Sequence, residues 1–200
     1  VIENKKSIVI NSKTIIDANV HVKQNRATTK NMDFSIKSTK TKSEKYIVIG
    51  AHYDHLGMGG PGTSSRTPDT LAVHNGADDN ASGIAALLDV AAQLKASDAK
   101  SNNYLFLAFS GEELGLFGSK HFVDAPTLGL ESINYMINMD MVGRLNEEKA
   151  IAVHGVGTSP VFKQTLFANN EGFKLAEHES GVGPSDHTSF YLNDIPVLHF

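Results

Sequence analysis

The chain has 200 residues, 40% of them hydrophobic and 20% charged, with a formal net charge of -4. This fits a single domain over residues 1–200. The balance offers no basic face to nucleic acid, and no apolar run approaches the roughly 18 residues of a membrane span. Cysteine is absent, which excludes disulfides and thiolate metal sites; any metal must be held by His, Asp and Glu.

Near the start, Ile16 to Lys23 alternates apolar and polar side chains, and Met32, Phe34 and Ile36 repeat the pattern. Both read as strands with one wet face, joined by a polar hairpin loop from Gln24 to Lys30. Lys37 to Lys45 is a charged connector. From Tyr46 the pattern changes to short continuous apolar runs: Tyr46 to Ala51, Tyr104 to Phe109, Tyr135 to Met139 and Ile195 to Phe200. Runs of this kind predict strands buried on both faces. Gly57 to Thr70 is a Gly/Pro-rich surface loop. Ala81 to Lys95 carries Ile84, Leu87, Leu88, Ala91 and Leu94 at helical spacing, and Phe117 to Val123 is a shorter helix. Ser159-Pro160 opens a third helix running to Asn170. Alternating strands and helices predict an α/β sandwich around a mostly parallel sheet, with an antiparallel N-terminal edge.

Open α/β sheets bind ligands beyond the carboxyl ends of their strands. His52-Tyr53-Asp54-His55 follows the first buried run, Ser110-Gly111-Glu112-Glu113 the second, and Asp140 the third. Asp78-Asp79 stands at the mouth of the first helix, and Ser185-Asp186-His187 comes late in the chain. Taken singly, most have plain readings. Asp78 and Asp79 could cap a helix, Glu112-Glu113 could be a solvated turn, and His187 alone is uninformative. Asp140 is harder to dismiss, because a buried carboxylate closing an apolar run must be paired or liganded. His21, His55, His74, His121, His154, His178 and His199 read as structural or surface residues. The combination at successive strand ends points to a site.

These motifs, in this order over residues 46–200, resemble the co-catalytic di-zinc aminopeptidases, a family sharing its fold with glutamate carboxypeptidase and glutaminyl cyclase. The resemblance rests on His52 to Gly57, His74 to Gly83, Phe109 to Ser119, Asn138 to Met141 and Ser185 to His187. It implies a zinc exopeptidase fold, two Zn2+ ions and peptide substrates with a free N-terminus. Asp79 is implied as the bridging carboxylate, with a cis peptide bond to Asn80. His52 and Asp140 are implied for one ion, Glu113 and His187 for the other. Glu112 is implied as general base and Asp54 as the carboxylate that fixes His52. A secreted or periplasmic location and a chain shortened at both ends relative to the family are further implications. The alternatives on this scaffold are a carboxypeptidase, with Arg144 or Arg66 receiving a substrate carboxylate, a glutaminyl cyclase, and a non-catalytic relative.

Overall fold

The computed structural model describes residues 26–40, 42–99 and 101–200. The strand expected at Ile16 to Lys23, and the start of its hairpin loop, lie outside the described residues.

Among the described residues seven strands form one mixed sheet. They are β1 (Met32–Ile36), β2 (Tyr46–His52), β3 (Asn103–Phe109), β4 (Ile133–Asn138), β5 (Ala150–His154), β6 (Lys174–His178) and β7 (Val197–His199), in the spatial order β1-β3-β2-β4-β7-β5-β6. The buried runs form the centre. β2 pairs in parallel with β3 on one side and β4 on the other, and β4 pairs in parallel with β7. β1 lies antiparallel on β3 at one edge, as its alternation predicts. Phe34 on β1 stacks on Phe106 with ring centroids 4.7 Å apart.

The pleat sends alternate side chains of β2 to opposite faces. Val48 joins Leu105, Leu107, Phe109, Met136 and Val197 beneath α2 (Phe117–Asp124) and α4 (His187–Tyr191). Ile47, Ile49 and Ala51 join Phe106 and Met139 beneath α1 (Gly83–Ala96), through Leu87 and Ala91. Helices therefore cover both faces, as the sandwich reading requires. A smaller cluster of Val153, Val156, Phe162 and Leu198 seats α3 (Phe162–Asn169).

Three features depart from the sequence reading. β5 and β6 are strands of five residues each, too short to show a period. α3 begins at Phe162, not at Ser159-Pro160, which lie in a turn where the Phe162 N–H donates to the Ser159 carbonyl at 3.3 Å. α4 is a single short turn with no periodic signal. Among the described residues no helix is long and apolar enough to cross a membrane.

Phe106 is fully buried and Leu88 is 57% exposed. Phe106→Ala should cost about 3–5 kcal/mol and Leu88→Ala no more than about 0.5 kcal/mol, read by urea unfolding.

Candidate metal centre

Parallel pairing sets the carboxyl ends of β2, β3 and β4 side by side. In register, His52 faces Phe109, and Gly50 faces Asn138. His52 ends β2, the Glu112-Glu113 turn follows β3, and Asp140 lies just past β4. The site therefore straddles the end of β2.

His52 is almost wholly buried, and carboxylates surround it. Its Nε2 lies 3.3 Å from Asp140 Oδ1, 3.4 Å from Asp79 Oδ1 and 3.9 Å from Glu112 Oε2. On the other side of the ring, Nδ1 lies 3.6 Å from Asp54 Oδ1. Burial opposes a charge on the imidazole, but Asp140 and Asp54 outweigh it and raise its pKa to about 11. Asp54 also accepts the backbone N–H groups of Glu112, at 3.1 Å, and Glu113, at 3.3 Å. One carboxylate thus fixes both the His52 ring and the turn that carries the two glutamates. Burial pushes Asp54 up, but His52 and these two N–H groups win, holding it below its ordinary range.

The turn forms because Gly111 takes φ +72°, where a side chain would be strained. The Phe117 N–H closes it by donating to the Gly111 carbonyl at 3.0 Å. Burial, with Asp186, Asp140 and Glu113 nearby, pushes Glu112 up to about 8 against the pull of His52.

Asp79 sits in the kinked turn Ala77–Ser82, and its peptide bond to Asn80 is cis, as expected. The residues around it do the fastening. Asn80 donates to the Met139 carbonyl at 3.0 Å and accepts from the Gly83 N–H at 2.9 Å and the Met141 N–H at 3.3 Å. Asp78 accepts the Gly143 N–H at 2.8 Å, and Ser82 Oγ accepts that of Val142 at 3.0 Å. The loop beyond Asp140 is thereby bound to the segment that carries Asp79. A Cβ on Gly83 would stand 2.4 Å from the Met139 carbonyl, so this approach needs glycine.

Two sets of ligating atoms result, each lying within 4.8 Å: His52, Asp79 and Asp140, and His55, Asp79 and Glu113. Asp79 belongs to both. In the second set His55 Nδ1 stands 2.6 Å from Glu113 Oε1 and 3.8 Å from Asp79 Oδ1. Both atoms are buried, and each is the other's nearest polar partner. A buried imidazole nitrogen and carboxylate oxygen facing one another beside a second carboxylate fit a divalent cation that accepts N/O donors.

Residues 34–200 match the profile of Peptidase family M28. The chain belongs to this family. A "Probable leucine aminopeptidase" of Arthroderma otae is 30% identical over 153 residues, 74% of this chain and 40% of that protein. The structure of BSAP, a zinc aminopeptidase from Bacillus subtilis, is 29% identical with a TM-score of 0.64, covering 85% of this chain and 39% of that one. Porphyromonas gingivalis glutaminyl cyclase, 20% identical with a TM-score of 0.66 over 84% of this chain and 62% of that one, shares the fold. The chain thus spans about two-fifths of the length of these two aminopeptidases.

Against this M28 frame, the structure brings His52, Asp54, Asp79, Glu112, Glu113 and Asp140 together. Among the described residues His187 joins neither set of ligating atoms. Its ring stacks on His199 at 4.2 Å and 8°, and neither ring nitrogen has a hydrogen-bond partner. Burial, then His199, pushes its pKa down to about 3. His55, read from sequence as structural or surface, stands at Glu113 instead. Its signal was present in His52-Tyr53-Asp54-His55 but was masked by the stronger His52/Asp54 pair.

With His52 near 11 and Glu112 near 8, the metal-free protein holds protons here at neutral pH. His52 would have to lose its proton to ligate a metal, so metal uptake at this set should release protons and tighten as pH rises from 6 to 8. Calorimetry in buffers of different ionisation enthalpy should show net proton release at pH 7. A pH-independent affinity with no proton release would contradict this charge assignment.

Proposed function

We propose that this chain is the metal-binding core of an aminopeptidase, a zinc-dependent hydrolase that removes the N-terminal residue from peptides. The observation that carries the reading is the pair of donor sets meeting at Asp79, with Glu112 beside them and belonging to neither. Relatives named as aminopeptidases support it. His52, Asp79 and Asp140 would hold one zinc ion, and Asp79 with Glu113 the other. Ions bound there would acidify a shared water and polarise the scissile carbonyl.

The chain's own residues supply the rest. Glu112 is mostly buried, 3.9 Å from His52 Nε2, where it can take the proton of the attacking water and return it to the leaving amine. A carboxyl pushed up to about 8 is suited to exchanging a proton near neutral pH. Asp54 keeps the His52 ring and the glutamate turn in register.

The second ion has two candidates for its nitrogen ligand. The family resemblance implies His187, whereas the contact of His55 with Glu113 favours His55. For the carboxypeptidase alternative, Arg144 stands 3.8 Å from Asp78 and is 85% exposed. Asp78 draws that charge away from a substrate carboxylate, which favours recognition of an N-terminus.

Peptides with a free N-terminus should be cleaved and N-blocked ones spared; the reverse preference would establish the carboxypeptidase. Glu112→Gln should keep its zinc and lose about 10²–10⁴-fold in kcat; near-wild-type turnover would remove Glu112 as the base. Asp79→Ala should release more zinc to a chromogenic chelator than Asp140→Ala, because Asp79 belongs to both sets. Equal retention of two ions by these variants would exclude the bridge. In the same assay, whichever of His55→Ala and His187→Ala lowers the zinc count identifies the nitrogen ligand.

A further inference from the structure

The turn that carries Glu112 and Glu113 is held from outside the metal centre as well as from within. Asn31, the residue before β1, bonds to both of its ends. We propose that Asn31 is a positioning residue that clamps the segment from Ser110 to Gly118 and so fixes the place of Glu112. The inference rests on the reading of Glu112 as general base.

β1 pairs antiparallel with β3 from Met32, opposite Ala108. Asn31 therefore arrives beside the carboxyl end of β3, where the turn begins. Its Oδ1 accepts the Ser110 N–H at 3.2 Å, and its Nδ2 donates to the Gly118 carbonyl at 2.8 Å. One planar amide can serve an N–H and a carbonyl at once, because it carries an acceptor and a donor. The reverse orientation would set N–H against N–H, so these two partners fix the amide. Ser110 is buried, and its N–H needs this acceptor. The approach is close: a Cβ on Gly118 would stand 2.5 Å from Asn31 Oδ1 and 2.5 Å from the Ser110 carbonyl. Only glycine lets α2 begin against both.

Neighbouring contacts tie the clamp to the strand ends. Thr29 Oγ1 and Ser110 Oγ share a hydrogen bond of 2.5 Å. The Tyr53 hydroxyl donates to the Lys30 carbonyl at 2.5 Å, and Tyr53 stands between His52 and Asp54 in the chain. Asp54 in turn accepts the N–H groups of Glu112 and Glu113. The turn is thus pinned at its middle by Asp54 and at its ends by Asn31. Between these points the Glu112 carbonyl accepts from the N–H groups of Gly115 and Leu116, both at 2.9 Å, which binds the segment into one unit. A displacement at Ser110 or Gly118 is therefore passed to Glu112. Residues 29–31 precede the stretch 34–200 that matches the family profile, so the clamp comes from outside the matched region.

The test uses the full chain, first without metal. Hydrogen exchange read by mass spectrometry should show residues 110–118 exchanging about 10-fold faster in Asn31→Ala, with β2 and β4 unchanged. At saturating zinc, Asn31→Ala should lower kcat about 10–100-fold and move KM by less than about threefold, because small misplacements of a catalytic group cost rate. Made in Glu112→Gln, the same substitution should lower kcat by less than about twofold, since residues acting as one unit are not additive. Asn31→Asp keeps the acceptor for Ser110 and loses the donor to Gly118. It should fall between wild type and Asn31→Ala in both readouts. Unchanged exchange in Asn31→Ala would overturn the clamp, whatever Glu112 does. Equal kcat losses with and without Glu112 would overturn the action through Glu112. If Asn31→Ala does not fold, wild-type exchange and kcat in Asn31→Asp would overturn the proposal as well. Near-wild-type turnover of Glu112→Gln, with faster exchange in Asn31→Ala, would mean that the base reading has failed and the clamp stands.

Discussion

The centre of this molecule is short of positive charge. Asp54, Asp79, Glu112, Asp140 and Asp186 all act on His52, and Glu113 stands close by. Asp54 and Asp140, which touch the imidazole, are held below their ordinary range. The others are not. Burial pushes Asp79 and Glu113 upward, Glu112 to about 8 and Asp186 to about 7. One imidazolium cannot neutralise this many carboxyl groups. A divalent cation bound at the donor sets would supply the missing charge and let the carboxylates ionise together, since a bound ion becomes the largest local charge and inverts the local pKa order.

Gathering like charges requires a scaffold stable enough to hold them. The parallel triplet β3-β2-β4 provides it, because its hydrogen-bonded register decides where each strand stops. His52, the glutamate turn and Asp140 come from separate parts of the chain, yet pairing leaves them no freedom to drift apart. Asp54 adds a second restraint by accepting from the backbone of the turn that carries Glu112 and Glu113. The apolar packing on both sheet faces stabilises the strands, and the hydrogen bonds at their ends convert that stability into ligand geometry.

Much of this was legible in the sequence. Continuous apolar runs marked β2, β3, β4 and β7, and the acidic or His residues after them marked the site, because a charged residue closing a buried strand requires a partner. β5 and β6 were not legible: Lys174–His178 is a mostly exposed edge strand whose place depends on pairing with β5. α4 was hidden because one helical turn has no period. Within the site, Asp140 stood out by position, while His52 and Asp79 were named through the combination of motifs and the family resemblance. The place of His55 depends on the path of the chain after β2, where its Cβ and Cγ lie 2.9 Å from the position a Cβ on Gly76 would take. That proximity is tertiary and leaves no mark on spacing. The stacking of His187 on His199 is likewise set by how β7 and α4 pack, not by the motif that contains His187.

The segment from Asp78 to Ser82 shows how support and chemistry are divided. Asp78, Asn80 and Ser82 bind the backbone of the loop after Asp140, while Asp79 between them lies 3.4 Å from the nitrogen of His52. Among these, Asn80 and Ser82 and the main-chain N–H groups they bind are neutral. This choice has a physical logic. A lysine or arginine beside Asp79 or Asp140 would hold a carboxylate equally well, but it would also neutralise it and weaken its attraction for a cation. The nearby Arg144 faces Asp78 and is 85% exposed, so its charge is screened by water from the ligand oxygens. Neutral hydrogen bonds hold the segments that carry the carboxylates without reducing their charge, and the unsatisfied charge that makes the metal-free site costly is the same charge that would bind the ions.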